Sequence, residues 1–272
     1  MEHDAPSIVP RISPFMWRWF SWYAGRFLRK HFRAVRLMDG GAPPSIAHEE
    51  PLIVYCNHPS WWDPMLGIFL ARRFWPDRRH YWPIDAAMLR KYPIFGKLGF
   101  FGVEKDTARG AATFLRVGTA ALGQPGACLW ITAQGEFADV RLRPVRIKPG
   151  LAHLARRLSN GVILPLAGEY PFWTERTPEA LVRFGQPLRI AERPSHEHLE
   201  LELANAMDAL AAASMVRDPS RFSVLTSGAA GTSPFYDAWR RTRAAASGRA
   251  FSVSHAPDAP DQRHVVCRAG DA

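Results

Sequence analysis

After residue 44 the chain alternates short apolar runs with longer segments of helical periodicity, and this alternation constrains its fold more than any other feature. The runs at 52–56, 81–84, 100–104, 127–133, 162–166 and 181–184 read as buried strands. The segments 61–73, 86–92, 108–122, 151–158 and 196–214 read as helices, and Gly123, Gly126 and Gly161 stand where such helices end. Strands separated by helices are joined by crossovers, so the expected class is α/β, a mixed and largely parallel sheet flanked by helices. The 272 residues suffice for one large core. The expected organisation is an N-terminal amphipathic helical extension and Pro/Gly linker over 1–44 and one α/β domain over 45–215. Over 216–272 a short helix near 236–246 is expected, followed by a tail, 251–272, of disordered composition.

Charge narrows the partners. Lys and Arg number 35 against 25 Asp and Glu, giving a net charge of +10 and an isoelectric point near 10.1, which implies nucleic acid, membrane headgroups or a phosphorylated substrate. Aromatic placement favours the membrane, because Phe15-Met16-Trp17-Arg18-Trp19-Phe20-Ser21-Trp22-Tyr23 crowds rings beside arginine and no proline follows before Arg36. On one helix over 15–36, Met16, Phe20, Tyr23 and Phe27 form one stripe and Arg18, Arg26, Arg29, Arg33 and Arg36 another, the pattern of a helix lying in an anionic interface. Arginine interrupts it too often for a span, which needs ~20 mostly apolar residues. It also lacks the apolar region and cleavage site of a signal peptide. The competing arrangement is a helix docked on the protein's own core. Cys56, Cys128 and Cys267 lie far apart, with no Cys-x-x-Cys and no zinc-finger histidine pair, so a reducing compartment and no structural metal are expected.

The chemistry concentrates where the first strand meets a helix start, at Asn57-His58-Pro59-Ser60-Trp61-Trp62-Asp63. His58 on that turn suits a general base, and Asp63, reaching back from the first helical turn, suits the carboxylate that fixes its tautomer. Ser60-x-x-Asp63 equally fits a capping box, in which Asp63 is structural. Downstream, Lys105 ends a strand and Arg109 opens the next helix, a pair that can hold a phosphate. After the 127–133 run, Gln134-Gly135-Glu136 forms a polar turn where glycine lets backbone approach a ligand, and Arg141, Arg143, Arg146 and Lys148 follow before Pro149-Gly150. Solvated strand ends are the plainer reading of both groups.

Taken in order, these segments resemble the lysophospholipid acyltransferase superfamily, in particular the 1-acylglycerol-3-phosphate acyltransferases. The motif N-H-x-S-x-x-D is met by Asn57, His58, Ser60 and Asp63; G-x-x-F-I-x-R is met loosely by Gly99, Val103 and Lys105. The motif E-G-T-R is met only at Gly135, since Gln134, Glu136 and Phe137 replace the other three; an apolar strand ending in proline is met by Val162-Ile163-Leu164-Pro165-Leu166. The resemblance spans roughly 51–188.

It implies direct transfer of a fatty acyl group from acyl-CoA or acyl carrier protein to an acceptor hydroxyl, with His58 as base, Asp63 as its orienter, no acyl-enzyme and no cofactor. Oxyanion donors would come from the helix start after Ser60 or the Gly135 turn. It also implies acceptor binding at Lys105, Gln134 and Gly135, and with the neighbouring polar and basic residues the expected substrate-binding set is Lys105, Arg109, Gln134, Gly135, Glu136, Arg141 and Arg143. The expected partners are the thioester donor, a lipid acceptor and the anionic cytoplasmic face of the inner membrane, with no nucleic acid. Because Gln134 is neutral and Phe137 cannot bind phosphate, the acceptor is expected to be a lysophospholipid, an amino-acid lipid or another lipid alcohol more readily than lysophosphatidate. An α/β-hydrolase is disfavoured by the lack of Gly-x-Ser-x-Gly, and Cys56 and Cys128 lack a nucleophile setting. A basic non-enzymatic binder of membrane or nucleic acid would leave the ordered motifs unexplained.

Overall fold

A computed structural model describes residues 8–228. The core is a parallel block. Five strands, β2 (Leu52–Cys56), β3 (Arg79–Asp85), β4 (Phe100–Val103), β5 (Ala127–Thr132) and β6 (Val162–Glu169), lie in the order β4-β3-β5-β2-β6, all parallel. Beyond β6 the sheet turns mixed: β7 (Ala180–Phe184) and the short β8 (Leu188–Arg189) run antiparallel to β6. β1 (Ala34–Met38) runs parallel to β7, and β9 (Phe222–Ser227) closes the edge antiparallel to β1.

Side-chain alternation along the strands builds two cores. Ile53 and Tyr55 of β2, with Leu129 and Ile131 of β5, face the layer of α4 (Ala108–Leu122), α5 (Gly150–Ala155) and α6 (His196–Val216), represented by Phe114, Leu151 and Leu203. Leu52, Val54, Cys128 and Trp130 face the other way, onto α1 (Pro14–His31) and α2 (Asp63–Phe74), represented by Leu28, Leu66 and Leu70. Strands buried on both faces therefore read as continuous apolar runs. The short α3 (Ala86–Lys91) lies between β3 and β4. Burial of each large side chain contributes about 1.5–3 kcal/mol before chain entropy is charged against it.

The expected boundaries at 44 and 215 do not separate bodies. β1 comes from the supposed N-terminal extension and β9 from the supposed C-terminal region, and both hydrogen-bond within the same sheet. The helix expected to reach residue 36 stops at His31, with Phe32 as an extended C-cap. Arg36 is thus no part of a solvated stripe: it is buried in β1, donates to Glu179 at 2.9 Å and lies over the Trp173 ring. A charge placed in the middle of five residues hid that strand from a hydropathy reading. β9 was hidden by exposure, since Phe222 alone among its residues is buried. The helix expected at 236–246 and the tail at 251–272 lie outside the described residues.

The stripe expected to lie in the membrane interface is not the outermost face of α1, since Met16 and Phe20 pack against the core. Ser21, Ala24 and Leu28 are buried against α2 and Trp17 stacks on His80, whereas Phe15, Trp19 and Trp22 are exposed. Their i, i+4, i+7 spacing sets these three rings on the face opposite Ala24, interleaved with exposed Arg18, Arg26 and Arg29, and Arg26 lies over the Trp22 ring. Small inward residues let the two helices approach closely, as where Gly25 meets Phe69. Among the described residues no helix is long and apolar enough to cross a membrane.

Candidate active site

Parallel register brings the site together. Cys56 pairs with Thr132 on one side and Leu166 on the other, so the positions two residues further on, His58, Gln134 and Gly168, reach the same level beyond the carboxyl edge of the sheet. Ligands of open α/β sheets bind in crevices on that edge. Asn57 locks it by a reciprocal pair, Nδ2 donating to the Gly168 carbonyl at 2.9 Å and Oδ1 accepting from the Gly168 N–H at 2.8 Å. The backbone N–H of His58 donates to Gln134 Oε1 at 2.7 Å, and the His58 carbonyl accepts from the Ala138 N–H at 3.0 Å.

His58 and Asp63 form the expected pair, with Nδ1 of the imidazole 2.6 Å from Asp63 Oδ2. The pair is half hidden, the histidine side chain 17% exposed and the aspartate 7%. A carboxylate oxygen accepts, so the proton lies on Nδ1 and the lone pair on Nε2, where a base needs it. The capping reading also holds in part. Asp63 Oδ2 accepts the Ser60 N–H at 3.1 Å, while Ser60 Oγ receives only the Trp62 N–H at 3.4 Å and gives α2 no side-chain cap. One carboxylate therefore both closes the turn and holds the imidazole.

A third donor escaped sequence reading. Tyr170, just past the end of β6, donates its hydroxyl to Asp63 Oδ1 at 2.6 Å. Burial and the neighbouring Asp63 charge push its phenol well above the ordinary range, so it stays protonated. Its ring packs beside Phe32, which in turn packs against Trp62. The only sequence signal was a tyrosine following the proline-bearing strand, 107 residues from its partner. Cys56, two residues before His58, is inert by contrast, because burial and Asp63 push its thiol up.

The turn after β5 performs other tasks than those expected. Gln134 uses Oε1 to hold the His58 backbone, which leaves its Nε2 amide group without a partner among the described residues and available as a donor. Gly135 has φ +73 and its vacant Cβ position lies 2.8 Å from Lys148 Cγ, so the lysine stem, not a ligand, occupies the space that glycine opens. Glu136 is exposed. Phe137, 63% exposed, lays its ring on the imidazole with centroids 4.4 Å apart.

Most of the basic residues of this loop are paired. Arg141 binds Asp139 at 2.7 Å, Arg143 binds Asp208 of α6, Arg146 binds Glu200 at 3.0 Å, and Lys148 binds Asp106 at 3.0 Å. Lys105 and Arg109 are exposed and have no acidic partner among the described residues. Because β4 is parallel to β3 and β5, Lys105 emerges on the same edge of the sheet as His58. The expected oxyanion donors are partly committed: the Ser60 N–H goes to Asp63 and the Gly135 N–H to Thr132 at 3.0 Å. Among the described residues no group of three or more histidine, cysteine or acidic side chains could hold a metal ion.

Comparison with known proteins agrees with this geometry. The family described as Acyltransferase matches residues 42–169, which contain the dyad, the Gln134 turn and the strand β6. No curated protein sequence matches the chain. The fold is similar to that of the 1-acyl-sn-glycerophosphate (LPA) acyltransferase PlsC from Thermotoga maritima, with a TM-score of 0.50 and 13% identity over 73% of this chain and 79% of that one. The matched segment carries N-H-x-S-x-x-D with its histidine and aspartate in contact, and it lies on a sheet of the same architecture. Residues 42–169 are thus an Acyltransferase domain by family match, set in a fold similar to that of PlsC.

Proposed function

We propose that the protein transfers a fatty acyl group from acyl-CoA or acyl carrier protein to a hydroxyl of a lysophospholipid or similar glycerolipid, at the cytoplasmic face of the inner membrane. The observation that carries this reading is the oriented dyad, with Nδ1 of His58 on Asp63 at 2.6 Å and Nε2 without a hydrogen-bond partner among the described residues. His58 Nε2 takes the acceptor hydroxyl proton as the oxygen attacks the thioester carbonyl carbon. The carbonyl electrons move onto oxygen, and the oxyanion is met by preorganised donors, a role supported by the unpaired amide group of Gln134 next to the His58 backbone. Collapse re-forms the carbonyl and breaks the carbon–sulfur bond, and the imidazolium returns its proton to the departing sulfur. Ester and free thiol result, with no acyl-enzyme.

Exchange of glutamate for Gln134 fits this scheme, since the amide keeps the acceptor that His58 N–H requires while adding two N–H donors and removing a negative charge. Lys105 and Arg109 support binding of a phosphate group from the carrier or the lipid. Phe137 against the imidazole supports an acceptor whose reacting hydroxyl lies far from a bare phosphomonoester, because an apolar ring cannot replace the water of that dianion. The outer face of α1, with Phe15, Trp19 and Trp22 among arginines, supports seating on anionic lipid. The test is to incubate purified protein with acyl-CoA or acyl carrier protein and a panel of lyso-lipids, beside lipid mass spectrometry of a deletion strain. The acylated lipid lost and the lyso form accumulated should coincide with the best acceptor in vitro; loss of no lipid, with no transfer to any lyso-lipid, would refute the reading.

A further inference from the structure

We propose that Tyr170 is a positioning residue of the proton-transfer unit, holding Asp63 in place and setting the basicity of His58. The inference rests on the acyl-transfer reading only for its kinetic consequences, not for its geometry.

Asp63 has two oxygens and three donors. Oδ2 receives His58 Nδ1–H at 2.6 Å and the Ser60 N–H at 3.1 Å, and Oδ1 receives the Tyr170 hydroxyl at 2.6 Å. Without the tyrosine, the carboxylate would be free to rotate about χ2 and present either oxygen to the imidazole. With it, the two oxygens have fixed roles. The donor is dependable, because a buried phenol beside a carboxylate does not ionise in the working range of an imidazole. Its position is also fixed, since it begins the segment after β6, whose register against β2 sets the level of His58.

The electrostatic consequence has a definite sign. A hydrogen bond to Oδ1 draws negative charge away from the face of Asp63 that holds the imidazole, so it weakens the preference for imidazolium. Removing the hydroxyl concentrates charge on His58 and raises its proton affinity. The other ionisable groups on elements around the dyad are Cys56 on β2, held protonated by burial and Asp63; Glu136 on the turn after β5; Glu169 at the end of β6, bonded by Ser214 at 3.2 Å; and His31 at the end of α1. None of them bonds to Asp63 or His58, so Tyr170 is the lever that a single substitution removes cleanly.

The experiment compares wild type with Tyr170→Phe, which keeps the ring packed against Phe32. His58 is followed by NMR titration of ring-labelled histidine, its signal assigned by its loss in His58→Ala, with no substrate present. We expect the midpoint to rise on the order of half a unit to one unit. In the transfer assay, kcat should fall by about ten- to hundredfold with KM little changed, and the acid limb of kcat/KM should move to higher pH. The double variant His58→Ala/Tyr170→Phe should be no worse than His58→Ala.

An unchanged midpoint overturns the proposal, including the case where activity and melting temperature fall together, which would make the tyrosine a packing residue. Turnover retained in His58→Ala would instead refute the acyl-transfer mechanism, and the titration would still decide the role of Tyr170.

Discussion

At the scale of the residue, the proposed chemistry falls on His58 and Asp63, in contact at 2.6 Å. His58→Ala should lower acyl transfer by about a hundred- to ten-thousand-fold while leaving thermal unfolding near that of wild type. Asp63→Asn should lose comparable activity but also stability, by about 1–3 kcal/mol, since its carboxylate satisfies Ser60 and Tyr170 as well as the imidazole. A folded His58→Ala protein with ordinary turnover would remove the base. Phe137 makes the sharper prediction on specificity. Wild type should prefer zwitterionic or neutral lyso-lipids to lysophosphatidate, and Phe137→Arg should shift the kcat/KM ratio toward lysophosphatidate by about tenfold or more, the worth of one charge-assisted hydrogen bond. A wild-type preference for lysophosphatidate that disappears in Lys105→Ala would place the phosphate on the unpaired cations and contradict the role given to the ring.

At the scale of the element, α1 joins two surfaces with different demands. Its inner stripe is fixed by packing: Trp17 stacks on His80, and Ala24 and Leu28 are fully buried. Substituting Trp17 would damage the fold and could not report on a membrane. The outer stripe is the right target. If the proposed seating holds, Phe15→Ser/Trp19→Ser/Trp22→Ser should move the protein from membrane to soluble fraction with little loss of melting temperature, because these rings are exposed rather than buried in the core. Raised salt should weaken attachment of wild type through Arg18, Arg26 and Arg29. Equal partitioning of wild type and triple variant in vesicle sedimentation would count against the seated helix.

At the scale of the whole molecule, the buried aromatic layer between α1 and the sheet makes stability depend on acidity. His80 is buried against Trp17, Trp82 and Trp130; Trp130 Nε1 donates to its Nδ1 at 3.1 Å, which leaves Nε2–H to donate to the Trp75 carbonyl at 2.9 Å. Burial, aided by nearby Arg78, lowers its pKa from 6.5 to about 4. The folded state thus refuses a proton that the unfolded chain accepts, so this contribution is intact above pH 6.5 and is lost as pH falls from there toward 4. The full loss is roughly 3 kcal/mol. Melting temperature should decline across that window, and His80→Phe, though less stable at neutral pH, should show a flatter decline. An equal slope in both proteins would show that other groups govern acid unfolding.

The amino-acid sequence by itself determined the parallel core and the pairing of His58 with Asp63. Strands buried on both faces must be apolar at every position, so β2, β5 and β6 announced themselves as runs, and a helix start five residues beyond His58 restricted Asp63 to its neighbourhood. Local spacing sufficed because the two residues share one turn. Tertiary structure decided whatever depended on partners distant in sequence. β1 became a strand because Arg36 meets Glu179, 143 residues away, and β9 because β1 offered it an unpaired edge. Gln134 became the holder of His58, Lys148 filled the space at Gly135, and Tyr170 reached Asp63 only once β6 lay beside β2. The inward face of α1 was likewise settled by fit: rings and arginines recur on both sides of its wheel, and only the surface of α2 selects the small residues that allow close approach.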